Sequence, residues 1–166
     1  MASIGRVSRG VIVASGFLLA ATVLVGIVPW RLVAAEPKSA NDAKNLQGTW
    51  QAVELEANGE KRPDDQIKEL QVVFKGDQVF AVKPDGEGRK VKFKLDPGKT
   101  PKTIDLIAID GSDKGKIAAG IYSLENGQLK LCVNLFGKDT AQRPTEFKTQ
   151  AGDGVGFAIL ERAKGK

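Results

Sequence analysis

The chain has 166 residues, 25 basic and 20 acidic, with no histidine, one cysteine (Cys132), one methionine (Met1) and one tyrosine (Tyr122). Without an imidazole there is no Ser-His-Asp or Cys-His pair to activate a nucleophile; one thiol cannot build a His/Cys zinc site or close an intramolecular disulfide. The formal charge of +5 shrinks when Arg6, Arg9 and Arg31 of the N-terminal segment are set aside, which leaves 22 basic residues against 20 acidic ones, too even a balance for the concentrated basic face of a nucleic-acid partner.

Residues 1–10 carry Arg6 and Arg9 and no acid, residues 11–28 are uncharged and largely apolar, and Val33-Ala34-Ala35 places small side chains at the exit of that run. This is the order of an export signal, with cleavage expected after Ala35. The apolar run is longer than that of most cleaved signals and close to the length of a spanning helix, so an uncleaved anchor through residues 11–28 is the alternative. The protein is accordingly expected to be exported: periplasmic, held in the cell envelope, or secreted. Residues 36–45 (EPKSANDAKN) are polar and contain proline, which reads as a flexible linker. Residues 46–163 form the folded domain, large enough for one modest core.

From Leu46 onward, short runs with a period near two alternate with turn signals. Residues 47–56 are the first strand, ending at the tight-turn pair Asn58-Gly59. Pro63 followed by Asp64 and Asp65 suits the first turn of a short helix over 63–69. Residues 70–74 and 78–82 form a hairpin around Lys75-Gly76-Asp77, and residues 84–88 (PDGEG) turn the chain again. In the strand at 89–95, Val91, Phe93 and Leu95 alternate with Lys90, Lys92 and Lys94, so one face is apolar and the other carries three ammonium groups. A strand at 103–109 follows a loop with two prolines. After the turn at 110–115, residues 116–124 and 128–134 form a hairpin around Asn126-Gly127. A longer connection over 136–154 leads to the final strand, 155–162.

Eight strands joined mostly by short turns predict an all-β fold, an eight-stranded antiparallel up-and-down barrel with one short helix after the first strand and a hydrophobic N-terminal helix. Closure removes the exposed edges of an open sheet; a sandwich is the competing arrangement. In the first strand Trp50 shares a face with Ala52 and Glu54, while Val53 and Leu55 point the other way, so a bulge or a polar interior is required.

Gly48-Thr49-Trp50 at the head of the first strand is similar to the G-x-W signature of lipocalins. A wider set resembles a family of small exported lipocalin-like domains expanded in planctomycete bacteria and of unknown function: Leu46-Gln47-Gly48-Thr49-Trp50, Thr103-Ile104-Asp105-Leu106, Lys114-Gly115-Lys116, Gly120-Ile121-Tyr122, Leu129-Lys130-Leu131-Cys132 and Arg143-Pro144-Thr145-Glu146-Phe147. The resemblance spans residues 46–162. It implies a barrel end closed by the tryptophan with a late arginine packed over it, so that Gly48, Trp50 and Arg162 form a structural signature, with Arg143 as the rival arginine. It brings no catalytic residues.

Two functions follow as expectations. In the first, the barrel holds a small apolar molecule, with Trp50, Phe93, Tyr122 and Arg143 as candidate ligand-binding residues. In the second, a filled barrel serves as a structural or protein-interaction module of the envelope. No enzymatic activity, cofactor or metal is expected. The carboxylate pairs Glu54/Glu56 and Asp64/Asp65 are not marked out from ordinary surface charge, and Asp110 to Gly115 lacks the ligand spacing of a calcium loop. The lysine stripe reads as a solvated outer face, and Cys132 as a small packed residue. The Arg143–Phe147 segment reads either as a functional loop or as a strap across one barrel end.

Overall fold

The computed structural model describes residues 38–135 and 142–164. The leader over 1–35, its apolar run and the first two linker residues lie outside the described residues, as does the 136–141 part of the long connection. Among the described residues, no helix is long and apolar enough to cross a membrane. In chain order the elements are α1 (Lys38–Leu46), β1 (Gly48–Ala57), β2 (Glu60–Lys61), α2 (Asp64–Ile67), β3 (Gln71–Lys75), β4 (Gln78–Lys83), β5 (Gly86–Glu87), β6 (Val91–Asp96), β7 (Lys102–Ala108), β8 (Ile117–Glu125), β9 (Gln128–Asn134) and β10 (Val155–Arg162).

Eight of these strands close a barrel. Running around the wall, β1, β3, β4, β6, β7, β8, β9 and β10 each pair antiparallel with the next, and β10 returns to β1. The two-residue strands β2 and β5 extend the hairpins that follow β1 and β4. The Asn58-Gly59 and Asn126-Gly127 turns put both residues at positive φ (53° and 79°, 52° and 77°), the geometry a tight hairpin turn demands. The narrowest seam is between β4 and β6, where only Gln78 opposite Lys92 and Val79 opposite Val91 are in register.

The conflict in the first strand is resolved by a bulge. Ala52 pairs with Leu160 and Glu54 with Ile159, so Val53 is the extra residue. Val53 is 42% exposed, whereas Trp50 and Ala52 before it are buried and Leu55 after it packs on the core. One inserted residue shifts the two-residue alternation and keeps an apolar face inward on both sides of the break. In β6, Val91, Phe93 and Leu95 pack inward while Lys92 and Lys94 are exposed, the faces the alternation predicts.

The flexible linker expected over 36–45 is not what the structure shows from residue 38 onward: this segment is helix α1, docked across one barrel end. Nine polar-rich residues do not hold a helix in water by propensity alone; tertiary contacts stabilise it. Leu46 is fully buried, and Asp42, one turn earlier on the same face, reaches the side chains of Tyr122 and Lys102. Gln47 then grips the β3–β4 turn with its amide, accepting from the Gly76 N–H at 2.8 Å and donating to the Gly76 carbonyl at 3.1 Å. The short α2 lies between β1 and β3, with Ile67 buried in the core and the Gln51 amide donating to the Lys68 and Leu70 carbonyls beyond the helix.

Candidate functional site

Trp50 closes the barrel end beneath α1. Its ring is 1% exposed, and Nε1–H donates to the Leu46 carbonyl at 2.8 Å. The Arg162 guanidinium lies 4.5 Å from the ring centroid and donates to the Gln47 carbonyl at 2.6 Å and to the Asn45 carbonyl. One arginine thus covers the indole face and satisfies carbonyls at the helix C-terminus, where the macrodipole favours a cation. Gly48 (φ +107°) sits where a Cβ would come within 3.1 Å of the Arg162 guanidinium. Gly48, Trp50 and Arg162 therefore act as one unit, and Arg143 is not part of it.

The other interior candidates are also packed against protein. Phe93 meets Phe74 edge-to-face at 5.2 Å between ring centroids. Tyr122 is 1% exposed and donates its hydroxyl to Asp42 Oδ2 at 2.6 Å, and Lys102 Nζ donates to the same oxygen at 2.9 Å. Burial, then the hydrogen bond to Asp42, pushes the Tyr122 phenol far above its ordinary pKa. Burial works against ionisation of Asp42, but the hydrogen bonds from Tyr122 and Lys102 outweigh it and hold the carboxyl below its ordinary value. Trp50, Phe93 and Tyr122 therefore share the interior core, and Arg143 stands apart from them on the outer wall.

That outer wall carries a second core, built from residues of both the barrel and the long connection. Ile121, Cys132 and Phe157 lie side by side on β8, β9 and β10, facing outward, and Phe147 covers them with its ring edge-to-face on Phe157 at 6.5 Å. The 142–154 segment is thus a strap along the outside of the barrel rather than across an end. Arg143 fixes it at one side, donating to the carbonyls of Ile104 (3.0 Å) and Gly120 (2.6 Å) and pairing with Asp105 at 2.6 Å. Thr149 fixes it at the other, donating to Glu56 and accepting from the Gly59 N–H at 2.8 Å. Cys132 is fully buried under the strap, 3.6 Å from the Lys148 carbonyl, and burial pushes its thiol pKa up to about 11. The packed residue expected at 132 is present, although it alternates in step with the polar Gln128, Lys130 and Asn134. The signal for this second core was the unbroken apolar run Val155 to Leu160, which reads as a strand covered on both faces.

Among the described residues, surface grooves include the following three. The first, about 490 Å³, runs between the strap (Arg143, Pro144, Thr145) and the β6–β7 loop (Asp96 to Pro101), with Lys94, Thr103, Asp105 and Ile121 in its lining. The second, about 450 Å³, shares Lys99, Thr100 and Pro101 with it and continues past Ser123 and Phe147 to Glu125. The third, about 510 Å³, lies beside α2, where Leu55, Ile67 and Leu70 form a floor under a charged rim that includes Arg62, Asp65 and Lys83.

The charges considered in the sequence mostly find local partners. Lys90 pairs with Glu87 and Lys92 with Asp77, both at 2.9 Å, while Lys94 has no carboxylate partner among the described residues. In the 110–115 turn, Arg89 pairs with Asp110 at 2.9 Å and Asp113 at 3.1 Å, so a guanidinium holds this acidic loop. Glu54 pairs with Lys61 at 3.2 Å, and Glu56 accepts from Thr149. Among the described residues, no group of three or more His, Cys, Asp or Glu side chains is placed to hold a metal ion.

Comparison with protein-family models, with curated proteins and with solved structures finds no match.

Proposed function

We propose that this domain is an interaction module of the cell envelope: a rigid barrel filled by its own side chains, whose working surface is its exterior. The observation that carries this reading is the occupancy of the interior. Trp50, Phe74, Ile104, Tyr122, Leu129 and Leu160 are each less than 2% exposed, and Asp42 and the Leu46 carbonyl take the polar ends of the two largest. A carrier of a small apolar molecule needs an enclosed apolar pocket of roughly 300 Å³ or more. The three grooves described above lie instead on the outer wall or beside α2. Export through residues 1–35, and kinship with the exported lipocalin-like domains it resembles, belong to the same proposal; no catalytic role does.

The second reading, a small apolar ligand, is favoured by the groove beside α2, where Leu55, Ile67 and Leu70 would form its entrance. Native mass spectrometry of protein purified from its own host separates the two. The interaction-module reading expects the mass of the polypeptide alone or with a protein partner. A stoichiometric small apolar adduct, lost on substitution of Leu70 by a charged residue, would replace it with the carrier reading.

A further inference from the structure

We infer that Asn126-Gly127, at the tip of the β8–β9 hairpin, is a site of covalent self-modification, where the asparagine loses ammonia and becomes aspartate or isoaspartate, and that the strap keeps the like pair Asn58-Gly59 from doing the same. The inference is independent of the interaction-module reading.

The chemistry needs only water. In an Asn-Gly pair the glycine nitrogen can attack the asparagine Cγ, because the glycine has no Cβ to shield it. The bond between Gly127 N and Asn126 Cγ forms and the Cγ–Nδ2 bond breaks. The proton on Gly127 N passes through water to the departing nitrogen, which leaves as ammonia. Water then adds to one of the two imide carbonyls. Opening the Cγ–N bond gives aspartate. Opening the bond between N and the Asn126 main-chain carbonyl carbon gives isoaspartate, whose backbone runs through Cγ.

The two pairs start from the same conformation. Both sit in two-residue hairpin turns, with φ of 53° and 79° at Asn58 and Gly59 and of 52° and 77° at Asn126 and Gly127. A turn must open before the glycine nitrogen can reach Cγ, so the cost of local opening sets the rate. That cost differs. The Gly59 N–H donates to Thr149 Oγ1 at 2.8 Å, the Asn58 side-chain oxygen accepts from the Gly154 N–H at 2.9 Å, and the Asn58 N–H donates to the Val155 carbonyl at 3.0 Å. The strap also presses on the turn, since a Cβ at Gly59 would lie 2.7 Å from Ala151 N. Nucleophile and electrophile are thus both tied down. At the other turn Asn126 and Gly127 are exposed, a Cβ at Gly127 would meet nothing within 4 Å, and neither the Asn126 side chain nor the Gly127 N–H has a hydrogen-bond partner among the described residues.

The product changes the barrel end that carries α1. A new carboxylate stands next to Glu125, on the corner where Gln128 already donates to Glu161 at 3.0 Å. Isoaspartate also adds a backbone carbon to a two-residue turn that fixes Glu125 opposite Gln128. The change is one-way and advances with time, so the turn records the age of the molecule.

The test is peptide mapping by liquid chromatography and mass spectrometry after the full-length protein has aged in mildly alkaline buffer. The tryptic peptides 117–130 and 45–61 carry the two sites, and the readout is the mass gain of an amide-to-acid change in each. In the folded protein Asn126 is expected to convert at least about tenfold faster than Asn58, the ratio that one further well-formed hydrogen bond sets. In urea the two rates should converge. Thr149→Val, which removes the acceptor of the Gly59 N–H, should raise the Asn58 rate relative to Asn126, and using the ratio cancels any general loosening of the fold. Asn126→Gln should abolish the conversion in 117–130. The inference is overturned if Asn58 converts as fast as Asn126 in the folded protein, if neither converts over a period in which the urea-unfolded chain converts both, or if Thr149→Val leaves the ratio unchanged.

Discussion

Removing the Trp50 indole should open the barrel at the α1 end, and the size of the effect follows from the contacts. A buried tryptophan removes about 150–250 Å² from water, which at about 25 cal/mol per Å² is about 4–6 kcal/mol. Trp50→Ala is therefore expected to cost about 3–5 kcal/mol, the range for large aromatic-to-alanine changes in cores. Domains of this size are stable by only about 5–15 kcal/mol, so this variant should sit near the edge of folding. Trp50→Phe keeps most of the apolar area but deprives the buried Leu46 carbonyl of its donor, a loss of about 1–3 kcal/mol. Arg162→Met keeps a stem over the ring and removes the cation, worth about 0.5–1 kcal/mol at so exposed a site, together with two carbonyl hydrogen bonds. If Trp50 and Arg162 act as one unit, the double variant Trp50→Phe/Arg162→Met should be less destabilised than the sum of the singles. Urea unfolding followed by far-UV circular dichroism measures all four, because the substitution at Trp50 removes one of the chain's two tryptophans and compromises fluorescence. A Trp50→Ala protein within about 1 kcal/mol of the parent, the size of an ordinary surface effect, would refute the argument that the indole seals the barrel.

Gly120→Ala should destabilise the barrel by about 1–3 kcal/mol, as overpacking does, because the new Cβ would lie 2.3 Å from Val133 Cγ1 and 2.8 Å from the Cys132 carbonyl; thermal unfolding reads this directly. Asp42 should make stability pH-dependent. Its folded pKa lies below the ordinary 3.8, so its contribution is complete above about pH 4 and is lost as pH falls through the folded value. Asp42→Asn should flatten the acid limb of a stability-versus-pH curve and lower stability at neutral pH; an unchanged limb would separate Asp42 from the docking of α1. Cys132 should resist Ellman's reagent at pH 8 until the protein unfolds. With its thiol pKa raised to about 11, the folded state keeps its proton longer than the unfolded one, so stability should decline as pH climbs from 9 toward 11.

How much of this was legible in the sequence depended on whether a pattern was local. The alternation of Val91, Phe93 and Leu95 with lysines carries its own register, and β6 has those faces. The Asn-Gly pairs marked two turns because the backbone there must adopt positive φ. The conflict at Val53 was visible as a broken alternation, and its remedy, a bulge, was one of two physical options. Helix α1 was not legible. Its residues look like a tether, and what makes them a helix is Leu46 under the barrel end and Asp42 against Tyr122, 80 positions later. The groove between the strap and the β6–β7 loop was hidden for the same reason. Arg143 is distant in sequence from Asp105 and Gly120, and only the closed barrel lays the strap beside the β6–β7 loop. The inward or outward direction of single side chains was readable from period two; which two outer faces would meet was not.

The closing of the barrel through β1 and β10 has a kinetic consequence. Arg162 finds its acceptor on Gln47, 115 residues back along the chain, and β1 cannot pair on its second side until β10 has been made. Such distant pairings fold slowly, because loop-closure entropy must be overcome before any contact repays it. While the chain is being synthesised, β1 has one bare edge, Trp50 has no cation above it, and α1 has no finished floor to rest on. A ribosome-bound chain halted before Val155 should therefore be digested readily by protease, and resistance should appear only once residue 162 has cleared the exit tunnel. Throughout that interval the barrel is unsealed, the condition in which a polypeptide can still be threaded through a narrow pore or held by a chaperone.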